Sequence, residues 1–365
     1  MLLAASADSF LRAFVYSASL NPYSLTNSTY KSLAAGAGVI YKIDSNYSYI
    51  ITNYHVVETN TTSSGIASSI KVFQYGADTS ITANEPSILG YGGSNYYYSS
   101  YTFSDSAIDA TYIGGSSTYD IAVLKVQTNK LASFAQPVTI ADGYKVAETA
   151  IAIGNPNGEG TSVTQGIVSV ESEEISFSDF EIFRVMRIDT AVNGGNSGGG
   201  LFNINGELIG IVNAKIEDSK IDNIAYALPY DNITKVADNI LYYYSGTAVK
   251  VKKLDLNIDY AVENQQATYN ASTGTFTITS DYVVKHVYSS GFGKLLQLAS
   301  GDIIKSVKIN NSTPIEITRA YELDELLLTV RPGDKLLITV QRGNSTLTIG
   351  SSSISVTNQY LELCD

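Results

Sequence analysis

The chain has 365 residues and a formal net charge of −12, and charged residues make up only 16% of it. The length favours two or three domains. The excess of acids argues against nucleic acid as a partner, because phosphate binding requires clustered Lys or Arg and the sequence shows no basic stripe. The single cysteine, Cys364, excludes an intrachain disulfide and is interpreted as a spectator thiol. The low charge and abundant Ser, Thr, Asn and Tyr favour a β-rich, secreted body.

The apolar, β-branched run at residues 50–57 carries His55, one of two histidines in the chain. We predict a buried strand that ends in a turn at this residue, so that a rigid element holds the imidazole as a general base. The second histidine, His286, is predicted to be an ordinary strand residue. No metal site is predicted there, because the sequence shows no further ligands at suitable spacing around it.

Asp120 opens the next strongly apolar run, residues 121–126. A carboxylate at the start of a buried strand is costly unless it is paired. A histidine ring N–H would satisfy it and would fix the tautomer that leaves the other ring nitrogen facing a nucleophile. We therefore predict that Asp120 orients His55.

Residues 193–199 place one serine, Ser197, among glycines. Glycines allow a tight turn that presents the hydroxyl beside converging backbone N–H groups. A serine hydroxyl is a poor nucleophile near neutral pH and needs an adjacent base, which a third group must orient. We predict that His55, Asp120 and Ser197 fill these three roles in acyl transfer.

These residues occur in the His, Asp, Ser order of the chymotrypsin-like serine proteases. Six segments resemble the HtrA (high-temperature-requirement) protease family, and in chain order they are 52–57, 120–125, 153–156, 165–169, 195–199 and 206–211. The resemblance implies a mostly β fold with a chymotrypsin-like double β-barrel as the protease domain, residues 1–247. It also implies an oxyanion hole made by the N–H groups of Gly195 and Ser197, with Asn196 setting the loop between them.

Two glycines depart from the family pattern, since Gly194 and Gly200 stand where the resemblance implies proline. Glycine has more backbone freedom to lose on ordering. We therefore predict a loosened loop around Ser197 and a resting state in which the oxyanion hole is unformed.

The primary specificity pocket is predicted to be uncharged. In the fold that the resemblance implies, its floor comes from residues shortly before the serine, which here are Ala191 and Val192. The pocket should therefore not select Lys or Arg, and the resemblance implies a small or aliphatic residue before the scissile bond. Asp189 is the nearest carboxylate, and we interpret it as a loop brace more than as the pocket floor.

Two further segments differ from, or add to, the catalytic motifs. Residues from about 76 to 117 are rich in Tyr, Ser and Gly and form an insertion relative to the family. They are interpreted either as a surface loop packed by its own tyrosines or as an aromatic platform for substrate or a neighbouring subunit. Residues 170–183 alternate acids with apolar residues where the family has a regulatory loop. We predict a loop that docks elsewhere as a switch.

A helix is predicted within residues 231–245, and a second unit, residues 248–365, follows it. The segments of this unit that resemble a small α+β PDZ domain are 301–307, 321–328 and 331–343. Such a domain adds an extended peptide to a sheet edge and holds its C-terminal carboxylate with backbone N–H groups. That loop is assigned to Leu256, Asn257 and Ile258, although Asn257 replaces the expected glycine. Peptide binding and a purely structural role both remain open.

Together these features predict a serine endopeptidase of the HtrA type that degrades unfolded or damaged exported proteins without a cofactor. One alternative is a signal-gated regulatory protease that cuts a specific partner after a C-terminal peptide binds the second unit. Another is a chaperone or scaffold without significant proteolysis. The resemblance implies a homotrimer or higher oligomer, and Phe10, Phe14 and Tyr16 either pack that trimer or lie in the barrel core.

The predicted location is extracytoplasmic, either periplasmic or at the cell surface. No run approaches the roughly 18 apolar residues of a membrane-spanning helix. Residues 1–7 are too short for a full signal-peptide core, so we expect a mature or trimmed form of an exported parent that could carry an anchor.

Overall fold

The computed structural model describes residues 10–17, 32–59, 62–83, 87–91, 94–98, 101–156, 161–178, 181–213, 224–272 and 275–364. The chain divides into two compact units, one that ends at Lys250 and one that runs from Val251 to Cys364. The boundary predicted from the sequence lies between residues 247 and 248. Within the described ranges, no helix has the length and apolar character needed to cross a membrane.

The first unit is built mainly of strands. Among the residues described, its helices are α1 (Tyr54–Val57), a 3-10 turn at Thr128–Lys130, and α2 (Tyr230–Tyr243). In chain order, its strands are β1 (Phe10–Ser17), β2 (Ser32–Ile43), β3 (Tyr47–Thr52), β4 (Ser69–Gln74), β5 (Ile81–Ala83), β6 (Ser87–Tyr91), β7 (Ser94–Tyr98), β8 (Tyr101–Phe103), β9 (Ile108–Ser116), β10 (Ile121–Gln127), β11 (Thr149–Gly154), β12 (Ser162–Ser178), β13 (Glu181–Ile188), β14 (Gly200–Phe202), β15 (Leu208–Asn213) and β16 (Ala225–Pro229).

Six antiparallel strands form the first barrel, in the order β10-β3-β2-β1-β4-β9, and β9 pairs with β10 to close it. Its core contains the buried side chains Ile40, Ile50, Val72 and Leu124. The β-branched runs of β3 and β10 pack on this core. The backbone of β1 is described, but the side chains of Phe10, Phe14 and Tyr16 lie outside the described part, so their predicted role stays a prediction.

The second barrel closes in the order β11-β12-β13-β16-β15-β14. Its core contains Val168, Met186, Leu201 and Ile209. All six residues of β15 are buried, which explains why its sequence is an almost unbroken apolar run. Two such barrels confirm the predicted mostly β, chymotrypsin-like double-barrel fold.

The segment at residues 170–183 is not a loop, and the prediction of a docking loop is wrong for the residues described. β12 continues to Ser178 and β13 begins at Glu181, and the two strands pair antiparallel. The alternation of acids and apolar residues is therefore the two-residue period of a strand. Ion pairs of Arg187 with Glu173, and of Arg184 with Asp231 at 2.8 Å, brace the hairpin.

The tyrosine-rich insertion contains strands of its own. β6 pairs with β7 as a hairpin, and β5 pairs with β8 on either side of that hairpin along the chain. The last part of the predicted insertion, β9, is a strand of the first barrel. The inserted part therefore ends before residue 108, and the side chains of residues 83–101 lie outside the described ones.

The second unit combines a sheet with two short helices. Its elements, counting β17 that begins just before it, are β17 (Val249–Leu254), β18 (Ile258–Asn270), β19 (Thr275–Val287), α3 (Phe292–Leu295), β20 (Ile303–Ile309), β21 (Ile315–Glu316), α4 (Ala320–Leu327), β22 (Leu336–Arg342), β23 (Ser345–Ile349), a 3-10 turn at Asn358–Tyr360, and β24 (Leu361–Cys364). The sheet order is β18-β19-β20-β22-β23, with β21 beside β20. Helix α4 contributes Leu323 and Leu326 to a separate core that contains Ile304 and Ile338.

Candidate active site

His55 lies between Asp120 and Ser197. β3 ends at Thr52, and the histidine sits on the one-turn helix α1 rather than on the strand itself. Its Nδ1 lies 2.7 Å from Asp120 Oδ2, and its Nε2 lies 2.9 Å from Ser197 Oγ. The structure thus brings together the three residues that the sequence predicts, in hydrogen-bond contact through both ring nitrogens.

The Asp120 carboxylate is buried and its hydrogen-bonding capacity is well used. Oδ1 accepts the backbone N–H of His55 at 2.9 Å, and Oδ2 accepts the side-chain N–H of Asn213 at 2.8 Å in addition to the histidine ring. These donors offset the cost of burying the charge. The residue has a φ of +49°, in the left-handed region that Asp tolerates better than most side chains.

Ser197 directly follows a tight turn of residues 193–196. The N–H of Asn196 donates to the carbonyl of Asn193 at 3.0 Å, and Gly195, the third residue of this turn, has a φ of +94°. A positive φ at this turn position favours glycine. Within the part of the chain that the structure describes, the Gly195 N–H has no backbone acceptor. Ser197 itself is nearly buried, and its carbonyl accepts the N–H of Ala37 at 2.8 Å.

Asn196 packs inward against β11. A Cβ added at Gly154 would lie 2.2 Å from Asn196 Oδ1, so this contact requires glycine at that position. The same Oδ1 atom is buried and has no hydrogen-bond partner among the described residues. Gly154 belongs to the segment at residues 153–156, which the sequence analysis associates with the family, and this packing gives the physical reason for its glycine.

The two unusual glycines beside the nucleophile differ in their surroundings. Gly194 is exposed, and nothing would lie within 4 Å of a Cβ added there. Gly200 is buried as the first residue of β14, and a Cβ there would lie 2.4 Å from the ring of Phe202. Gly200 is paired with Ile211 within the second barrel, whereas Gly194 is exposed, and the predicted loosening of the loop stays a prediction.

The residues assigned to the specificity pocket follow β13 and precede the nucleophile turn. Ala191 is exposed, and its carbonyl accepts the Thr164 hydroxyl at 2.8 Å, whereas Val192 packs on the core of the second barrel. Asp189 Oδ1 accepts the N–H of Ile167 at 2.6 Å. This bond ties the loop to β12 and agrees with the interpretation of Asp189 as a brace.

The residues assigned to peptide binding lie in the second unit, between β17 and β18. Asn257 has a φ of +51°, which is consistent with the glycine expected at this position. Its N–H donates to Asp255 Oδ1 at 2.6 Å, and the carbonyl of the buried Leu256 accepts the N–H of Gly293 at 2.9 Å. The Asn257 N–H, which was expected to bind the carboxylate of a peptide, thus already donates to the carboxylate of Asp255. Ile258 is the first residue of β18.

Two buried asparagines at the site were missed by the sequence analysis. Asn213 ends β15 and donates to Asp120, and Asn53 donates to the Asp120 carbonyl. Both lie in or just after segments that resemble the family, so an amide adjoining such a segment was the available signal.

His286, the other histidine, is in β19 with its ring 4.6 Å from that of Tyr288. The described residues contain no cluster of three or more metal-ligating side chains.

Comparison with known proteins shows what this chain is similar to. Residues 36–211, which contain all three triad residues, match the family model of the trypsin-like peptidase domain. The chain is 30% identical to the serine protease Do-like HtrA of Bacillus subtilis over 86% of this chain and 62% of that protein. It is 29% identical to the periplasmic serine endoprotease DegP of Salmonella typhimurium over 87% of this chain and 56% of that protein. The chain therefore spans about three fifths of the length of these relatives.

Solved structures show the same fold over nearly the whole chain. The HtrA-type protease AlgW with a tripeptide superposes with a TM-score of 0.56 at 23% identity, covering 95% of this chain and 94% of that one. The serine endoprotease from Yersinia pestis gives a TM-score of 0.54 at 22% identity, covering 100% of this chain and 97% of that one. Residues 36–211 are thus similar to the trypsin-like peptidase domain, the chain is similar in sequence to serine proteases of the HtrA type, and the solved structures show that it shares their fold.

Proposed function

We propose that this chain is a serine endopeptidase in which Ser197 attacks a peptide carbonyl. The observation that carries the proposal is the continuous contact from Asp120 Oδ2 through His55 to Ser197 Oγ, at 2.7 Å and 2.9 Å. His55 Nε2 accepts the hydroxyl proton as Ser197 attacks and then donates it to the leaving amine. Asp120 holds the ring in the tautomer that this requires. Water then attacks the acyl-enzyme. His55 accepts the proton of this water and returns it to Ser197 Oγ as the acyl group leaves.

The oxyanion of the tetrahedral intermediate is stabilised, in this proposal, by the N–H groups of Gly195 and Ser197. Support comes from the turn that ends at Asn196, whose left-handed Gly195 leaves its N–H without a backbone acceptor in the described structure. Removing one donor from such a site typically costs roughly 2.7–4 kcal/mol of transition-state stabilisation.

The substrates that we propose are unfolded or damaged exported polypeptides with a small or aliphatic residue before the scissile bond. Ala191 and Val192 offer no charge to a basic side chain, and a protease cleft admits extended chain more readily than folded protein. The Salmonella relative is a periplasmic serine endoprotease by name, which supports the proposal of an extracytoplasmic location for this chain. We also propose that the second unit is PDZ-like and binds a peptide, and that the chain forms an oligomer. The family resemblance supports these proposals.

The test is cleavage of an unfolded model protein by this chain and by Ser197→Ala, with the cut sites mapped by mass spectrometry. We expect cuts after Val, Ala or similar residues, and a loss in the variant on the order of a millionfold in kcat. A fluorophosphonate reagent should label Ser197 in the wild-type chain.

The outcomes also separate the alternatives. Cleavage that begins only when a C-terminal peptide is added would indicate the signal-gated protease. Neither cleavage nor labelling under any of these conditions would contradict the endopeptidase and leave the chaperone or scaffold.

A further inference from the structure

Asn53 is a buried residue whose side chain has no local role. It lies between β3 and α1, is 0% exposed, and stands at the N-cap position of the helix. Asparagine at this position usually accepts a hydrogen bond from the first turn of the helix. Here the side chain makes no capping bond. Helix capping therefore does not account for a buried amide at this point in the chain.

The Asn53 amide instead forms hydrogen bonds that connect the two barrels. Asn53 Nδ2 donates to the backbone carbonyl of Asp120 at 3.0 Å, next to β10 of the first barrel. Its Oδ1 accepts the backbone N–H of Gly198 at 2.6 Å, in the nucleophile loop of the second barrel. One side chain thus bonds the residue that orients the base and the residue that directly follows the nucleophile.

At one end, the Asn53 side chain holds Asp120, whose backbone is in the left-handed conformation. With a φ of +49°, Asp120 stays in place only if its surroundings define it. Its carbonyl accepts two donors, the Tyr54 N–H at 3.1 Å and the Asn53 amide. These two bonds fix the peptide from which the carboxylate reaches His55.

The Gly198 end acts on the nucleophile. The Gly198 N–H is shared between Asn53 Oδ1 and the carbonyl of Val212, which lies 3.1 Å away. The Ser197 carbonyl belongs to the same peptide and accepts the N–H of Ala37 of the first barrel, so the peptide that follows Ser197 Cα is bonded across the interface between the barrels through both its N–H and its carbonyl.

We propose that Asn53 is a positioning residue that sets the separation of His55 and Ser197 by linking Asp120 to Gly198. This inference rests on the proposed endopeptidase function. Asparagine suits the task because it offers a donor to a carbonyl and an acceptor to an N–H from one short side chain. Aspartate keeps only the acceptor, and leucine of similar volume keeps neither.

A purely structural role of Asn53 predicts a loss of stability, whereas a positioning role predicts a loss of rate. If the Asn53 side chain is replaced, the Asp120 carbonyl still accepts the Tyr54 N–H, and the Gly198 N–H still donates to the Val212 carbonyl. The loss therefore leaves neither partner unbonded, and stability should fall modestly. The hydrogen-bonded link between Asp120 and Gly198 is lost, and a misplacement of catalytic groups by about 1 Å can cost roughly a hundredfold in rate.

The experiment compares Asn53→Leu and Asn53→Asp with Asn203→Leu as a matched control. Asn203 is also a buried asparagine, and it accepts two backbone N–H groups at 3.0 Å, those of Asn205 and Glu207, in the turn between β14 and β15. Kinetics would use a peptide taken from a mapped cut site, with active enzyme counted by fluorophosphonate labelling and stability measured by thermal unfolding. We expect kcat to fall by roughly tenfold to a hundredfold in both Asn53 variants with KM nearly unchanged, and kcat to be unchanged in the control.

A second readout does not need turnover. The proton between His55 Nδ1 and Asp120 Oδ2 should give a far-downfield proton resonance, which is simple to assign in a chain with two histidines. We expect this resonance in the wild-type chain and in Asn203→Leu, and expect it shifted or broadened in Asn53→Asp. If Asn53→Leu does not fold, Asn53→Asp decides the question.

Several results would overturn the proposal. One is an unchanged kcat per labelled site in the folded Asn53 variants, and another is an equal loss in Asn203→Leu. A wild-type chain that neither cleaves nor is labelled contradicts the endopeptidase function itself. In that case an unchanged downfield resonance in Asn53→Asp would separately contradict the positioning role.

Discussion

Gly198 shows how tightly the nucleophile loop is seated against the first barrel. Its φ is +83°, and a Cβ added there would lie 2.2 Å from the carbonyl oxygen of Ala37 and 2.3 Å from the hydroxyl oxygen of Thr52. The Thr52 hydroxyl donates to that same Ala37 carbonyl at 2.7 Å, so neither atom is free to move aside. Glycine is required here for both backbone conformation and space.

Substitution by alanine should therefore have a large effect at Gly198 and almost none at Gly194. We expect Gly198→Ala to lower the free energy of unfolding by about 2 kcal/mol or more and to abolish labelling of Ser197, because strain and overpacking combine. Gly194→Ala, at an exposed position with open space, should change the free energy by less than about 0.5 kcal/mol. Chemical denaturation and labelling check both variants, and equal effects would contradict the steric argument.

At the level of single residues, the chemistry of the site was predictable and its support was not. His55, Asp120 and Ser197 stand out because few residue types perform these roles and each lies in a distinctive local pattern. Asn53 and Asn213 contact residues 145 and 93 positions away along the chain. Their place in or next to family-like segments marks both residues, but local sequence does not show which distant residues they contact, so only the folded chain reveals their roles.

The strands and helices were predicted best where hydrophobic periodicity had no competing interpretation. The helix expected within residues 231–245 lies at Tyr230–Tyr243, and the helical run at 321–328 lies at Ala320–Leu327. The hairpin of β12 and β13 differs from the loop predicted at residues 170–183, because the alternation of acids and apolar residues there is the two-residue period of a strand. His55 was placed at the end of a strand and lies on a one-turn helix, a difference of the size expected at element boundaries.

The pairing of β19 with β20 leads to a pH-dependent prediction. The hydrogen bond from Lys305 Nζ to Asp281 Oδ1, at 2.6 Å, and a further one from Asn264 keep the pKa of Asp281 below its usual value. A lowered pKa means that the stabilisation is present above the unfolded-state pKa, near 3.9 for Asp, and is lost as the pH falls through the folded-state pKa. Because Asp281 is partly exposed, the contribution should be at most about 1 kcal/mol.

The measurement is the free energy of unfolding of the second unit, by urea denaturation, for the wild-type chain and Asp281→Asn. We expect the variant to be less stable near neutral pH and the difference to shrink as the pH falls below about 4. Lys305→Met should reproduce most of this loss by removing the main donor. A difference that stays constant down to acidic pH would contradict the assignment.

At the scale of the whole molecule, fold class followed from the family resemblance and the strand-rich sequence. The alternating apolar segments predict paired barrels, and the change of pattern after α2 predicts a second unit. What the sequence did not provide was the internal structure of the insertion, since its Tyr, Ser and Gly residues lack a clear period. The two units also have separate hydrophobic cores, one beneath α4 and others inside the barrels.

Separate cores predict separable consequences for a core truncation. Ile338 and Ile209 are both 0% exposed, the first in the core of the second unit and the second in the second barrel. Ile→Ala at either position should destabilise its own core by roughly 2–5 kcal/mol. At a temperature where the barrels remain folded, Ile338→Ala should retain the wild-type kcat/KM on a short peptide, because the triad lies wholly in the first unit. Ile209→Ala should lose labelling of Ser197 at a lower temperature than the wild-type chain does. Calorimetry and labelling during the same thermal ramp check both variants, and parallel loss of peptide hydrolysis in Ile338→Ala would mean that the second unit supports the catalytic geometry directly.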